Sequence, residues 1–133
     1  MKLIKRTNDD LKANRPTLEE VKFIPKVPIS ILVEDVRSVY NVGSIFRTAD
    51  SFGAEKIYLT GITSFPPRDD LHKTALGAEE SVAWEYDKDP VQLAKLADIH
   101  LEIPMSGIKQ SLNVSVATGI IGYELLRQYK LTK

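Results

Sequence analysis

Short apolar runs rich in β-branched residues recur along this chain, and helical periodicity fills the stretches between them. Ile29-Ser30-Ile31-Leu32-Val33 suits a buried strand. After it, Val42, Ile45, Phe46 and Ala49 fall at i, i+3, i+4 and i+7, one apolar helix face, and Gly53 is placed to end that helix in a left-handed turn. Lys56-Ile57-Tyr58-Leu59-Thr60 and Val82-Ala83-Trp84-Glu85-Tyr86 read as a second and third strand, with a helix or helical turn over 69–80 between them. Pro90 opens a short helix over 90–97, and Ile99-His100-Leu101-Glu102-Ile103 alternates as a fourth strand ending at Pro104. A long helix from about Ser111 to Gln128 closes the chain, with Ser111 as its natural N-cap. Such alternation predicts an α/β domain: a mainly parallel sheet with flanking helices. Ligands of such domains sit outside the carboxyl ends of the strands, which are Glu34-Asp35, Thr60-Gly61 and Ile103-Pro104-Met105 here.

With 133 residues the chain is one domain in size, expected as an arm over 1–28 and a single domain over 29–133. Thr17 and Glu20 have capping-box spacing, so a short helix is expected to start in the arm. There is no cysteine, which excludes disulfides and thiolate chemistry, and His72 and His100 stand far apart, so no metal site is expected. No apolar run approaches the roughly 18 residues of a membrane span, and the N-terminus turns polar too soon for a signal peptide. The chain reads as cytoplasmic. Net charge is zero, but residues 1–26 carry +3, 68–102 carry −5 and 103–133 carry +3. Two basic ends could meet phosphate, although on charge alone an ordinary solvated surface is the simpler reading.

Three stretches could carry chemistry. In Asn41-Val42-Gly43-Ser44-Ile45-Phe46-Arg47, Gly43 and Arg47 are one helical turn apart. Helical side chains lean toward the N-terminus, so Arg47 would lie over bare backbone at Gly43 and leave room for a substrate. A guanidinium there could grip phosphate or orient a ribose hydroxyl; taken without its flanks, it reads as a surface arginine. In Ile103-Pro104-Met105-Ser106-Gly107-Ile108-Lys109-Gln110-Ser111-Leu112-Asn113 a strand end, a glycine loop and a helix start follow one another, and free N–H groups there can bind polar ligand atoms. In the last helix Ser115, Thr118, Gly119 and Gly122 form a small-residue stripe beside the apolar Val114, Ala117, Ile121 and Leu125. That pattern suits burial against a second copy, and close packing on the chain's own sheet explains the stripe almost as well.

Taken together these segments resemble the SpoU/TrmH family of SPOUT RNA 2'-O-methyltransferases. The first motif resembles Asn41 to Asp50 and runs on through Phe52-Gly53-Ala54. The third resembles Ile103-Pro104-Met105 to Ser111-Leu112-Asn113-Val114-Ser115-Val116-Ala117, and Lys73-Thr74-Ala75-Leu76-Gly77-Ala78 matches between them. The resemblance implies a C-terminal trefoil knot that holds the cofactor, a homodimer through the C-terminal helix, and methyl transfer from S-adenosyl-L-methionine to a ribose 2'-hydroxyl of tRNA or rRNA. It implies catalytic roles for Arg47, Asn41 and Asn113. Cofactor contacts would come from Ile103, Met105, Ser111 and Leu112, and RNA contacts from Asn41, Arg47 and Lys109. The sequence departs from the family in one place: the second motif, with its Gly-Asn-Glu-like sequence, has no counterpart. Val91-Gln92-Leu93-Ala94-Lys95-Leu96 runs directly into Ala97-Asp98-Ile99-His100. At least one βαβ-sized unit, roughly 30 residues, is absent, leaving less chain to thread into a knot. The alternative is a non-catalytic RNA-binding or dimerisation module derived from such an enzyme, natural or engineered by internal deletion.

Overall fold

A computed structural model describes residues 6–95 and 101–133. Two short exposed helices open it, α1 (Asn8–Ala13) and α2 (Leu18–Val21). Each begins at a threonine that accepts from the amide three residues on, while the acidic side chain of that residue accepts from the threonine amide: Thr7 with Asp10, Thr17 with Glu20. The helix expected at Thr17 is α2. The one before it uses the same box with aspartate in place of glutamate.

Strand β1 (Val27–Glu34), helix α3 (Val39–Phe52) and strand β2 (Ala54–Thr60) follow. Gly53 ends α3 at φ 74°, the left-handed turn its sequence called for. Then come α4 (Asp69–Ala75), α5 (Ala78–Ser81), β3 (Ala83–Asp87), α6 (Val91–Ala94) and α7 (Val114–Leu131). The sheet runs β1-β2-β3, all parallel. Its register sets Val33 beside Leu59 and Leu59 beside Tyr86, so Ile31, Val33, Ile57, Leu59, Trp84 and Tyr86 share one face. Helix α3 lies on that face with Val42, Ile45, Phe46 and Ala49 fully buried, and α4 and α7 flank it. The opposite face carries Leu32, Tyr58 and the Lys56–Glu85 ion pair at 2.7 Å. The α/β architecture with a parallel sheet and flanking helices is therefore the one the alternation called for.

Three elements differ from expectation. The stretch 69–80 is two helices, because Leu76 (φ 54°) and Gly77 (φ 95°) both turn left-handed. Helix α7 starts at Val114 with Asn113 as its N-cap, not at Ser111: the Asn113 carboxamide accepts from the Ser115 amide at 2.9 Å, and Ser111 stays in the loop before it. The fourth strand expected over 99–103 lies partly outside the described residues, and its residues 101–103 are irregular. A strand exists only as one side of a ladder, and these residues do not join the sheet: Leu101 lies beside β1 without pairing to it.

The α4–α5 corner carries a pH dependence. His72 is exposed and its Nδ1 meets the Glu79 carboxylate, whose other oxygen accepts from the Gly77 amide at 3.0 Å. The hydrogen bond to Glu79, helped by its charge, raises the imidazole above its ordinary value of 6.5. A raised folded-state value means that the pair's stabilisation is complete below pH 6.5 and is lost as pH rises through the folded value. Urea melts should therefore show wild type ahead of His72→Gln under mildly acidic conditions, with the margin closing at alkaline pH. A margin independent of pH would contradict this assignment.

Candidate active site

Helix α3 is capped by Ser38, whose hydroxyl accepts from the Asn41 amide at 3.2 Å. This fixes Asn41 in the first turn, with its carboxamide free to reach outward. The Asn113 carboxamide at the head of α7 donates to Asn41 Oδ1 at 3.0 Å, across 72 residues of chain. Asn113 Oδ1 in turn accepts from the Ser115 amide at 2.9 Å and the Ser115 hydroxyl at 2.6 Å. The two stretches singled out in the sequence thus meet through one pair of amide side chains. Removing Asn113 deletes a cap, worth about 1 kcal/mol. We expect a double-mutant cycle of Asn41→Ala and Asn113→Ala, followed by urea unfolding, to give a coupling of about 0.5 kcal/mol. Strict additivity would show that the bond does not persist in solution.

Arg47 lies further along α3 and is exposed. Among the described residues its guanidinium forms no ion pair. The space expected for a substrate over Gly43 does not exist. Gly43 is buried, and a Cβ there would fall 2.1 Å from Thr74 Oγ1 and 2.4 Å from the Leu71 carbonyl oxygen. The Thr74 hydroxyl occupies that space and donates to the Tyr40 carbonyl at 2.8 Å. The bare backbone serves the α3–α4 contact, and Arg47, one turn on, is exposed.

Two of the three strand ends are consumed by the fold itself. Asp35 (φ 50°) accepts from the Ile62 amide at 3.0 Å, and Gly61 O accepts from the Tyr86 hydroxyl at 2.8 Å. Thr63 donates to Val33 O at 3.2 Å and accepts from the Val36 amide at 3.1 Å. What remains open is the loop before α7. Ile103 is half-buried there, while Met105, Lys109, Ser111 and Leu112 are exposed. A concavity between the N-terminal arm and the α3–α5 side and another between β1 and α7 are lined by none of these five. The loop offers backbone groups to a ligand.

The small-residue stripe of α7 packs on α3 of the same chain. A Cβ on Gly122 would fall 2.3 Å from the Phe52 ring, and one on Gly119 would touch the Thr48 methyl at 3.5 Å. Tyr123 reaches over the same contact and donates to the Ser51 hydroxyl at 3.1 Å. A different row stays exposed: Val116 (50%), Ile120 (46%) and Tyr123 (50%).

The profile of the SpoU rRNA Methylase family matches residues 28–95, about half of the chain, and the chain belongs to that family. Among curated relatives, an uncharacterized tRNA/rRNA methyltransferase of Synechocystis is 27% identical over 162 positions, covering 84% of this chain and 41% of the relative. The tRNA (guanosine(18)-2'-O)-methyltransferase of Thermus thermophilus is 28% identical, covering 88% of this chain and 84% of the relative. The fold is that of the solved SpoU methyltransferase AviRb from Streptomyces viridochromogenes in complex with AdoMet. The TM-score is 0.69 at 19% identity, over 79% of this chain and 59% of that one. The chain spans less than half the length of the Synechocystis relative. That alignment runs over 162 positions while 84% of 133 residues take part, so about 50 positions of the relative face no residue here.

Proposed function

We propose that this chain is a cytoplasmic RNA 2'-O-methyltransferase that uses S-adenosyl-L-methionine and acts on tRNA or rRNA. The observation that carries this reading is the Asn41–Asn113 bond, which joins the family's first motif to its third at 3.0 Å. Family membership supports it, as do the names of the relatives and the AdoMet complex of AviRb. In this reading Arg47 orients the ribose hydroxyl, Asn41 and Lys109 contact RNA beside it, and Asn113 braces Asn41. Ile103, Met105, Ser111 and Leu112 are the residues for the cofactor. The test is transfer of labelled methyl from S-adenosylmethionine to total tRNA and rRNA. Label on ribose 2'-oxygen is the expected result; no label in any RNA would overturn the reading.

The proposal extends to a homodimer through α7. Its stripe of small residues is used within the chain, but Val116, Ile120 and Tyr123 form an exposed apolar row at helical spacing. Light scattering at micromolar concentration should give twice the 14.9 kDa chain mass, and Ile120→Glu should give the monomer. A monomeric wild type would contradict the dimer.

A further inference from the structure

The edge of β1 away from β2 is unpaired among the described residues. The Asp35 amide donates to Thr60 O, toward β2. In a parallel ladder alternate residues direct both backbone groups to the same side. Val33 and Ile31 therefore point to β2, while the amides of Ser30, Leu32 and Glu34 point outward. Beyond this edge lies a groove of about 440 Å³, walled by Ile29 and Ile31 of β1 and by Val114, Ile121 and Leu125 of α7, with Leu101 on its rim. An apolar run beside three amides unpaired among the described residues is a template for an added strand.

We propose that this groove accepts a strand from a separate polypeptide, an α/β segment of the kind that the relatives carry within one chain. Three observations favour this occupant. The relatives have about 50 positions that face no residue of this chain, enough for a βαβ unit. The family match stops at Lys95, and Leu101, just beyond it in sequence, lies on the rim of this groove. The surface is concave, so a second copy presenting its own groove would leave both unfilled, whereas an inserted strand fills one.

The choice of occupant rests on the proposed family function; the acceptor edge does not. The probe is a separate peptide of the Thermus thermophilus relative, made from its positions that face no residue of this chain. Titrated into the full chain, it should bind saturably at one to one. Hydrogen exchange at Ser30, Leu32 and Glu34 should slow at least about tenfold on saturation, with Ile31 and Val33 unchanged. Ser30→Pro removes one outward amide while sparing the β2 ladder and should weaken binding. Ile120→Glu, on the exposed row of α7, should leave binding intact. Absence of saturable binding would overturn the proposal. So would protection of those three amides that grows with the chain's own concentration and needs no peptide, since a second copy would then hold the edge. RNA methylation by a chain that does not bind the peptide would refute the docking and leave the function standing. Docking without methylation by the mixture would do the reverse.

Discussion

Gly43→Ala should be the most damaging single-methyl change in this chain. Its Cβ would fall 2.1 Å from Thr74 Oγ1 and 2.4 Å from the Leu71 carbonyl oxygen, with the Ala75 amide nitrogen at 3.0 Å. Two of those three atoms are backbone of α4, so no rotamer change relieves them. The helices must separate, and α3 is the central helix of the core, packed against α4, α7 and the sheet. Alanine's better helix propensity offsets at most about 1 kcal/mol of that strain. We expect a net loss of about 3 kcal/mol, or roughly 10 °C in Tm. Adding Thr74→Ala should recover only part of it, because the clash with the Leu71 carbonyl remains while the hydroxyl's bond to Tyr40 O is lost. Wild-type stability in Gly43→Ala would mean that α3 and α4 do not pack as described.

That glycine also marks where sequence reasoning reached its limit. The first three strands and α3 were legible because β-branched runs and an i, i+3, i+4, i+7 pattern report burial directly, and Gly53 reports a left-handed turn. A glycine inside a helix reports only that something comes close. Substrate and neighbouring helix leave the same mark, and here the neighbour is Thr74 on α4. The stripe on α7 was ambiguous for the same reason: Gly122 yields to Phe52 of the same chain, not to a partner. Leu76 was beyond reach, since a left-handed leucine has no sequence signature, although Gly77 beside it hinted at a break. The extra helix at Thr7 was readable in principle, because aspartate closes its capping box as glutamate does at Thr17.

At the site, the motif residues were found by resemblance, and their meeting could not be. Nothing in spacing brings Asn41 within 3.0 Å of Asn113; that follows from α7 crossing α3. The shift of the cap from Ser111 to Asn113 belongs to the same crossing. A serine and an asparagine two residues apart compete for one helix start, and Asn113 can both cap α7 and reach Asn41. The missing strand ladder at 101–103 has a related cause. Alternating apolar residues can form a strand only where a neighbouring edge receives them, and sequence does not say which edges remain open.

Arg47→Ala should abolish most methyl transfer while leaving the fold intact. The side chain is exposed and forms no ion pair among the described residues, so its loss costs the core nothing. A guanidinium stays protonated throughout the usable pH range, so it cannot take the proton of a ribose hydroxyl. What it can do is donate from a planar fork, fixing the hydroxyl and an adjacent phosphate and stabilising negative charge as it develops on oxygen. Removing one such donor typically lowers turnover about 100- to 1000-fold. Lysine keeps the charge but not the fork, so Arg47→Lys should recover only a small part of the rate. The check is the initial rate of labelled methyl incorporation into RNA beside an unchanged urea midpoint. Full rescue by lysine would reduce Arg47 to a simple positive charge near RNA. An alanine variant as fast as wild type would remove it from the active site and leave Asn41 and Asn113 without the neighbour this reading gives them.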